Sequence, residues 1–531
     1  RLLNTACSVS DLLGRRRTCL FGVVIARNRF LRIADKPQYL VGEDVMTPAR
    51  DLKLSQYVVV SPAFQDPVTG GYIVVIFSSR SGAKQVVAER DWQSLVSAQL
   101  DQLPRKFLDQ LFSKCILVPK TQNEFDIIQD ENSKASASYP ILYQVIQPPS
   151  GCHLGCDYCG QSHGSQQLSP SNISSLIANL TKKLSSGKYR GLEIGWFGAE
   201  PLLALDVMRI VSTKLRSIAS DLGVQYSSRV VSNGLRFTAQ VARELEGLHA
   251  VRYVELTLDG SQHFHDQRRN FKKTRASSFD KIVANVTDAL AAVVGDLKIG
   301  IRCNVDKRNI DGVIPLIQYL HKNQLLGRLS RLYFAPVRAW GNDVSGVALS
   351  PEEFASRQIV WFAEMARLGC AAPLIPQRTR IVCMTFKPEA ELIDAHGERY
   401  NCTEVSYVPS YSSGADVWER FPNFRDTALG GIPRASGENV FSLGHIDGSR
   451  DYPPAANALK DFHERVENNE YPCRHCSMLP TCGGACPKSW LEGGVPCPPE
   501  KYNITQRLQL DHLLKHCTIS DYSEKPSSQM A

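Results

Sequence analysis

The sequence lacks the features that mark membrane proteins, secreted proteins and nucleic-acid-binding proteins. A membrane-spanning helix is predicted by an apolar run of about 18 residues or more, and the sequence has no run of this length. The first residues, Arg1-Leu2-Leu3-Asn4, contain no hydrophobic signal-peptide core. The net charge is only +8 in 531 residues and there is no long basic block, so a solvated surface explains it better than a polyanionic partner. We therefore expect a cytoplasmic protein of roughly two to four domains that binds neither membrane nor nucleic acid.

Cysteine, by contrast, is abundant. The chain has 16 cysteines, which in a small secreted domain would predict disulfide bonds. In a large chain without an export signal they indicate metal binding. Most of them fall into spaced groups, whereas Cys7, Cys19, Cys115 and Cys303 are isolated and are predicted to be structural thiols.

The tightest group is a loop in which Cys152, Cys156 and Cys159 are spaced as Cys-x3-Cys-x2-Cys. It follows the apolar run at 141–146, whose length and β-branched residues predict a buried strand. Three thiolates in one short loop suit a [4Fe-4S] cluster held at three irons, because a zinc site normally takes four protein ligands or three and a water. A zinc ribbon and a disulfide loop are the alternatives.

From residue 139 onwards, strand patterns alternate with helix patterns. Helices are predicted between the strands, the first over 171–184 with Ser171 or Asn172 as its N-cap. This alternation predicts an α/β fold with a parallel sheet, most simply an open, partial (β/α)6 barrel. The predicted strands are 141–146, 191–197, 228–232, 252–259, 298–304 and 331–337.

Short motifs follow the second to the fifth of these strands, at the carboxyl ends where such sheets bind ligands. They are Phe197-Gly198-Ala199-Glu200-Pro201, Ser232-Asn233-Gly234, Leu258-Asp259-Gly260-Ser261 with His265-Asp266-Gln267-Arg268-Arg269, and Arg302-Cys303-Asn304-Val305-Asp306. Together with the cysteine loop they resemble the radical S-adenosylmethionine (SAM) enzymes. The resemblance implies a cluster whose open iron chelates the amino and carboxylate groups of SAM, and whose electron splits SAM to a 5'-deoxyadenosyl radical.

The resemblance also implies the residues that bind SAM. Tyr158 would lie beside the adenine, and Arg269 would pair with the carboxylate. Ala199 stands where the family has glycine, which we expect to be tolerated if its φ is negative. The full cofactor-binding set implied in this way is Tyr158, Gly198, Ala199, Glu200, Ser232, Asn233, Arg269 and Arg302.

A second cysteine-rich region begins at Cys383. It reads Cys383-x13-Gly397-x4-Cys402 and then Cys473-x2-Cys476-x5-Cys482-x3-Cys486, with Cys497 and Cys517 beyond. This order resembles the SPASM extension of radical SAM enzymes, which binds two auxiliary [4Fe-4S] clusters, although the later group alone would fit zinc about as well. The prediction is therefore three [4Fe-4S] clusters and SAM.

The resemblance implies how these cysteines divide. Cys383, Cys402 and Cys486 would hold the inner auxiliary cluster, which either keeps an open iron or takes Cys497 or Cys370 as its fourth ligand. The outer cluster would use Cys473, Cys476 and Cys482 with Cys517, or with Cys497 in its place.

Family resemblance implies hydrogen abstraction from a peptide or protein, followed by a carbon-carbon, carbon-sulfur or carbon-oxygen crosslink or a related oxidation. We expect maturation of a ribosomally made precursor peptide with a leader, and a flavodoxin or ferredoxin as electron donor. Glu404 and Tyr400 are candidates for proton transfer. The alternative interpretation is that Glu404 is a surface carboxylate and Tyr400 a packed tyrosine. Formylglycine formation is less favoured, because the sulfatase-maturing branch has an aspartate where this chain has Thr403. Small-molecule radical SAM chemistry and a non-enzymatic metal scaffold are further alternatives.

These patterns predict a sequence of regions. An N-terminal α+β domain would either bind a leader peptide or serve as a cap. The predicted boundaries are 1–118 for this domain, 119–138 for a linker, 139–345 for the barrel, 346–382 for a connection, 383–517 for the SPASM region and 518–531 for a tail.

Overall fold

A computed structural model of the chain describes residues 48–517, except 273, 275, 426, 428 and 454–456. Cys7, Cys19 and the predicted tail 518–531 lie outside the described residues. Within the described part of the chain, no helix is both long enough and apolar enough to cross a membrane.

The N-terminal region combines a small antiparallel sheet with helices, as its mixed patterns predict. Strand β4 is the centre of the sheet, with β2 and β3 on one side and β5 on the other, while β1 pairs with β6. The bounds are β1 Leu52–Leu54, β2 Val58–Val60, β3 Phe64–Gln65, β4 Tyr72–Ser78, β5 Lys84–Ala88, α1 Glu89–Val96, α2 Arg105–Ser113, β6 Leu117–Pro119 and α3 Glu124–Ala137.

Helix α3 corrects the prediction of a linker or exposed loop at 119–138. Phe125 and Ile128 lie three residues apart on one face of this helix, and both are buried against a C-terminal cluster that contains Phe462. The carboxylate of Glu124 is also buried and accepts hydrogen bonds from Ser55 Oγ (2.5 Å) and from the backbone N–H of Gln56 (2.9 Å). The polar composition of the segment concealed these few buried anchors.

Six parallel strands form the predicted α/β sheet. Each strand pairs with the next one along the chain, in the order β12-β11-β10-β9-β8-β7. The bounds are β7 Ile141–Ile146, α4 Pro170–Leu184, β8 Gly191–Trp196, α5 Leu205–Asp221, β9 Gln225–Ser232, α6 Ala239–Gly247, β10 Val251–Thr257, α7 Gln262–Arg268, α8 Phe279–Ala292, β11 Lys298–Val305, α9 Val313–Lys322, β12 Arg331–Pro336 and α10 Pro351–Arg367.

Burial and capping explain this part of the fold. Leu142, Leu192 and Ile194 are fully or almost fully buried in one core that the surrounding helices share. Helix α4 begins one residue earlier than predicted, and its N-cap is Ser169 instead of Ser171 or Asn172. The side chain of Ser169 accepts a hydrogen bond from the N–H of Asn172 (3.1 Å). Pro170 then occupies the first helical position, where its missing N–H has no cost.

The C-terminal region continues the same sheet. Strand β13 (Glu391–Ile393) pairs in parallel with β7, and β14 (Arg399–Tyr400) pairs with β13. Four short helices and one long helix follow, namely α11 Ala415–Arg420, α12 Phe462–Glu467, α13 Leu479–Cys482, α14 Pro487–Leu491 and the long α15 Glu500–His516. The sheet therefore has eight strands among the described residues, two more than the sequence predicts.

Candidate active site and cysteine clusters

The carboxyl ends of the parallel strands open into one cavity of about 360 Å³, a size common for small-ligand sites. The paired register places these strand ends at one edge of the sheet, so loops distant in sequence converge there. Of the residues predicted for function, the cavity wall contains Cys152, Cys156, Tyr158, Cys159, Gly198, Ala199, Ser232, Asn233, Arg269, Arg302 and Glu404.

Three thiols of the cysteine loop share this wall. Burial raises the pKa of Cys152 and Cys159, and it raises the pKa of Cys156 to about 12. The amide of Asn233 contacts Cys152 Sγ at 3.7 Å. Metal ligation requires thiolates, which a buried site stabilises only when a cation is bound among them. The three thiols therefore fit an iron-sulfur cluster facing the cavity.

Tyr158 is the centre of a polar network beside these cysteines. Its hydroxyl donates to Asp259 Oδ2 (2.5 Å) and accepts from Arg269 Nη1 (2.6 Å) and Asn304 Nδ2 (3.1 Å). The guanidinium of Arg268 lies 4.9 Å from the centroid of the Tyr158 ring, in cation–π geometry. The tyrosine and Arg269 are thus held rigidly at the cavity wall.

The turn after β8 has an unusual backbone. Gly198 has φ +78°, and a Cβ there would lie 2.1 Å from Nε2 of Gln147. Ala199 has φ +41°, so the condition of a negative φ is not met, and the alanine accepts left-handed strain. Glu200 is fully buried behind the turn, where its carboxylate accepts hydrogen bonds from Ser232 Oγ (2.8 Å) and Asn233 N–H (2.7 Å).

A second set of thiols adjoins the cavity. Burial raises the pKa of Cys383, Cys402 and Cys486. The charge of Glu404 raises each of these pKa values further, by a smaller amount. Cys486 also contributes to the raised pKa of Cys402, and Cys383 contributes to the raised pKa of Cys486. We call Cys383, Cys402 and Cys486 the inner trio.

A third set encloses a small separate cavity. Cys473, Cys476, Cys482 and Cys497 all line it, and we call these four residues the outer quartet. Burial raises the pKa of Cys473 to about 12 and that of Cys482 to about 11. Cys482 Sγ accepts the N–H of Gly484 (3.4 Å), and Lys501 Nζ contacts Cys497 Sγ (3.4 Å). Four converging thiols with such donors fit a fully ligated cluster.

No group of three or more His, Cys, Asp or Glu side chains in the described ranges is arranged around a single metal ion. The ligands of an iron-sulfur cluster bind different iron atoms, so they do not surround a single point. What the members of each set share is a cavity or electrostatic interactions.

The model of the radical SAM superfamily matches residues 146–301. Residues 146–301 form a radical SAM domain. This match supports an enzymatic function, and the superfamily implies a [4Fe-4S] cluster and SAM as cofactors. The comparison with curated proteins gives no match.

Solved structures with a similar course of the chain include native anSMEcpe with bound AdoMet, at 15% identity over 70% of this chain and 97% of that chain, TM-score 0.47. Another is SuiB of Streptococcus suis bound to the precursor peptide SuiA, at 12% identity over 84% and 98%, TM-score 0.43. A third is HemN, the coproporphyrinogen III oxidase of Escherichia coli, at 12% identity over 49% and 65%, TM-score 0.33.

Some predicted residues lie away from the cavity of the radical SAM domain. Tyr400 is buried in a C-terminal apolar cluster with Leu392 and Val405. Cys517 is exposed at the end of α15, and Cys370 packs at the edge of the radical SAM domain's core. Cys517 is therefore not brought to the outer quartet, whose fourth member is Cys497.

Other cavity residues have no motif in the sequence. Gln161 accepts the N–H of Ala199 (3.4 Å) and donates to the carbonyl of Ser406 (3.1 Å). His163 also lines the cavity, and burial lowers its pKa to about 4, which keeps the ring neutral. Trp340 follows the sixth strand of the parallel sheet, so the rule that ligands bind at strand ends could have found it.

Proposed function

We propose that the protein is a radical SAM maturase that modifies a ribosomally made precursor peptide. The observation that carries this proposal is the single cavity in which three cysteines of one loop meet the strand-end segments of a radical SAM domain. The favoured outcome is a carbon-carbon, carbon-sulfur or carbon-oxygen crosslink, or a related oxidation.

Cys152, Cys156 and Cys159 would hold the first cluster. The backbone of Gly198 and Ala199, the side chains of Ser232 and Asn233, and Arg269 would bind SAM along the same wall. When bound, the cluster and SAM supply a 5'-deoxyadenosyl radical that removes a hydrogen atom from an unactivated carbon. The protein orients Tyr158 and Arg269 through the fixed network with Asp259 and Asn304.

The inner trio and the outer quartet would hold two auxiliary [4Fe-4S] clusters, as in a SPASM region. Such clusters suit a reaction in which a substrate radical is oxidised after hydrogen abstraction. The inner trio would lie nearer the substrate, because its neighbour Glu404 lines the cavity. A flavodoxin or ferredoxin would deliver electrons to the first cluster.

The small N-terminal sheet offers a place for a leader peptide. Among the described residues, β5 pairs with no strand other than β4. The carbonyls of Lys84 and Val86 accept side-chain hydrogen bonds from Lys114 and Gln85, which an added strand would have to replace. An extended peptide can bind such an edge through backbone hydrogen bonds. Val86 on this strand is exposed and would contact the added chain.

The first experiment tests radical SAM chemistry. Anaerobically reconstituted full-length protein with SAM and dithionite should release 5'-deoxyadenosine, measured by liquid chromatography and mass spectrometry. Cys156→Ala should lose at least about tenfold of this activity, because the cluster loses one of three ligands. Cys370→Ala is the matched control and should retain it, since Cys370 belongs to none of the three sets. Equal activity in both variants would refute the assignment of the first cluster.

The second experiment tests the substrate class. Short peptides encoded beside the gene should bind the protein, and a core peptide should change mass by a loss of two hydrogens when a crosslink forms. A protein that cleaves SAM but neither binds nor alters any such peptide would instead favour a small-molecule substrate.

A further inference from the structure

The loop that holds the first three cysteines has a cavity on each side. One is the cavity at the strand ends, and the other is a hollow of about 290 Å³ between residues 151–153 and 164–167. Of the three cysteines, Cys152 alone lines both. Residues 165–167 of the hollow are exposed, so it opens to the protein surface. We call this second cavity the surface hollow, and it gives Cys152 a face toward solvent.

Hydrogen bonds hold the two walls of the surface hollow together. The N–H of Ser150 donates to the carbonyl of Gln166 (2.9 Å), and Ser150 Oγ accepts the N–H of Gln166 (3.1 Å). The N–H of Gly164 donates to the carbonyl of Ser150 (3.1 Å). Gly151 also faces Gly164 so closely that an added Cβ would lie 3.0 Å from the Gly164 carbonyl oxygen. The hollow is therefore a preformed surface, which a partner can bind at little ordering cost.

Lys272 is an exposed cation on one flank of the loop. Its backbone N–H donates to the carbonyl of His153, a residue that lines the hollow (3.0 Å). Its Cγ lies 3.3 Å from the position of a Cβ on Gly155, so the aliphatic stem packs on the loop while the charged end stays in water. Among the residues that the structure describes, the ammonium group has no hydrogen-bond or ion-pair partner.

Arg236 is a second exposed cation beside the loop. It lies in a turn that is closed by a hydrogen bond from the N–H of Phe237 to the carbonyl of Gly234 (3.2 Å) and anchored by the buried Phe237 ring. The turn directly follows Asn233, whose amide contacts Cys152 Sγ at 3.7 Å. Within the described ranges the guanidinium group has no partner either.

The acids around the surface hollow do not neutralise these cations. One acid, Asp157, occurs in the three segments that border the hollow, namely 150–169, 232–238 and 269–278. Arg308 Nη1 binds its carboxylate at 2.6 Å. Asp266 lies close by in the sequence, but its carboxylate accepts the N–H of Ser278 before α8 (2.9 Å). The face around Cys152 is therefore positive and attracts an acidic surface.

We propose that the surface hollow, flanked by Lys272 and Arg236, is the docking site of the electron donor, a protein with an acidic surface around its redox group. The inference rests on the proposed function, since it presupposes a first cluster at the cysteine loop. The donor loses one electron at this contact and the cluster gains it. SAM and substrate would fill the cavity on the other side of the loop, so the hollow is the approach that stays free. Contacts between redox proteins are small and depend on charge for steering, so a few cations suffice.

The test compares two ways of reducing the full-length, anaerobically reconstituted protein. Dithionite is small and needs no docking surface, whereas an acidic flavodoxin, reduced by its NADPH-dependent reductase, does. The variants are Lys272→Glu/Arg236→Glu and the neutral Lys272→Gln/Arg236→Gln. The matched control is Lys188→Glu/Arg190→Glu, which changes two exposed cations directly before β8, at the opposite edge of the sheet. The measurements are the release of 5'-deoxyadenosine with each reductant and the Kd of oxidised flavodoxin by biolayer interferometry.

With flavodoxin at low ionic strength, the glutamate double variant should release 5'-deoxyadenosine at least about tenfold more slowly than wild type, and its Kd should rise by a similar factor. The glutamine double variant should lie between them. Added salt should slow the wild type toward the variants, because it screens the charges. With dithionite every protein should match wild type, and the control should match it with either reductant.

The inference is wrong if the glutamate double variant keeps the wild-type rate and affinity with flavodoxin, or if the control loses as much. An equal loss with dithionite would also overturn it, because the two cations would then serve the fold. The same holds if wild type takes electrons from dithionite but not from flavodoxin. Wild type that does not cleave SAM even with dithionite would refute the proposed function instead.

Discussion

The contact between Gly198 and Gln147 yields the sharpest test of how the turn proposed to bind SAM is built. Gly198→Ala would meet two separate costs. A residue with a Cβ pays about 1–2 kcal/mol in the left-handed region, and Gly198 has φ +78°. The new methyl would also lie 2.1 Å from Nε2 and 2.3 Å from Cδ of Gln147, an overlap that typically costs about 1–3 kcal/mol. The expected loss of unfolding free energy is about 2–5 kcal/mol.

The two costs can be measured apart. Gly187 has φ +72° and nothing within 4 Å of an added Cβ, so Gly187→Ala reports the backbone cost alone. Gln147→Ala removes the obstacle, and the double variant Gly198→Ala/Gln147→Ala should recover the overlap term. The double-mutant cycle should therefore give a coupling of about 1–3 kcal/mol. Gln147 is fully buried with neither amide atom hydrogen-bonded among the described residues. Its truncation therefore loses no hydrogen bond but leaves a cavity, and the single variant Gln147→Ala measures that cost within the cycle.

Urea unfolding of the apoprotein under reducing conditions measures these values, with SAM cleavage by the reconstituted protein as a second readout. Gly198→Ala should lose both stability and SAM cleavage, whereas Gly187→Ala should lose only a little stability. If Gly198→Ala is no less stable than Gly187→Ala, or if the Gln147 truncation brings no recovery, the account of the turn is wrong.

Three further predictions concern the cysteines, acid stability and the join between loops. Cys497→Ser should lose about four irons per chain and Cys517→Ser none, by iron analysis after reconstitution, and the reverse result would restore Cys517 as the ligand. Burial lowers the pKa of His265 to about 3. Below about pH 6.5 this histidine is therefore protonated in the unfolded chain but stays neutral in the folded protein. Unfolding free energy should therefore fall with acid by up to about 1.4 kcal/mol per pH unit, and His265→Gln should flatten this slope in urea titrations between pH 6.5 and 4.5. Gln161→Ala removes two hydrogen bonds, each of about 0.5–1.5 kcal/mol, that connect Ala199 to Ser406. SAM cleavage should persist, but the ratio of 5'-deoxyadenosine to modified peptide should rise several-fold. An unchanged ratio would show that Gln161 does not position these segments.

The sequence predicts the parallel sheet well, and it also predicts that the cysteine loop and the strand-end motifs lie together, because both depend on local patterns. Apolar runs that alternate with helix patterns along the chain predict parallel strands. The carboxyl ends of the strands of one parallel sheet lie at the same edge. The motifs at those ends, such as Ser232-Asn233-Gly234, therefore had to meet the cysteine loop. Their meeting in one cavity follows from register alone.

What the sequence does not predict depends on contacts between distant segments. Strand β13 has three residues, too few for a periodic signal, and its pairing with β7 joins positions about 250 residues apart. The spacing of the cysteines likewise does not distinguish Cys497 from Cys517 as the fourth member of the outer set. Only the packing of the residues before α15 brings Cys497 to the other three cysteines of the outer quartet. The positive φ of Ala199 is not written in the sequence either, because it belongs to the turn between Gly198, which also has a positive φ, and the buried Glu200.

The pairing of β13 with β7 gives the two redox regions a common frame. Strand β7 leads into the first cysteine loop, and β13 lies between Cys383 and Cys402 of the inner trio. Backbone hydrogen bonds join them, as does the amide of Gln144, which donates to the carbonyl of Glu391 (2.9 Å). Beyond the strands, the N–H of Ser162 donates to the carbonyl of Tyr407 (2.7 Å). Because these bonds connect loops on both sides, the separation of the first cysteine loop from the inner trio is set by the sheet and not by a flexible linker. Electron transfer is steeply sensitive to distance, so a C-terminal region built as an extension of the sheet suits the proposed reaction, in which one substrate must meet both clusters.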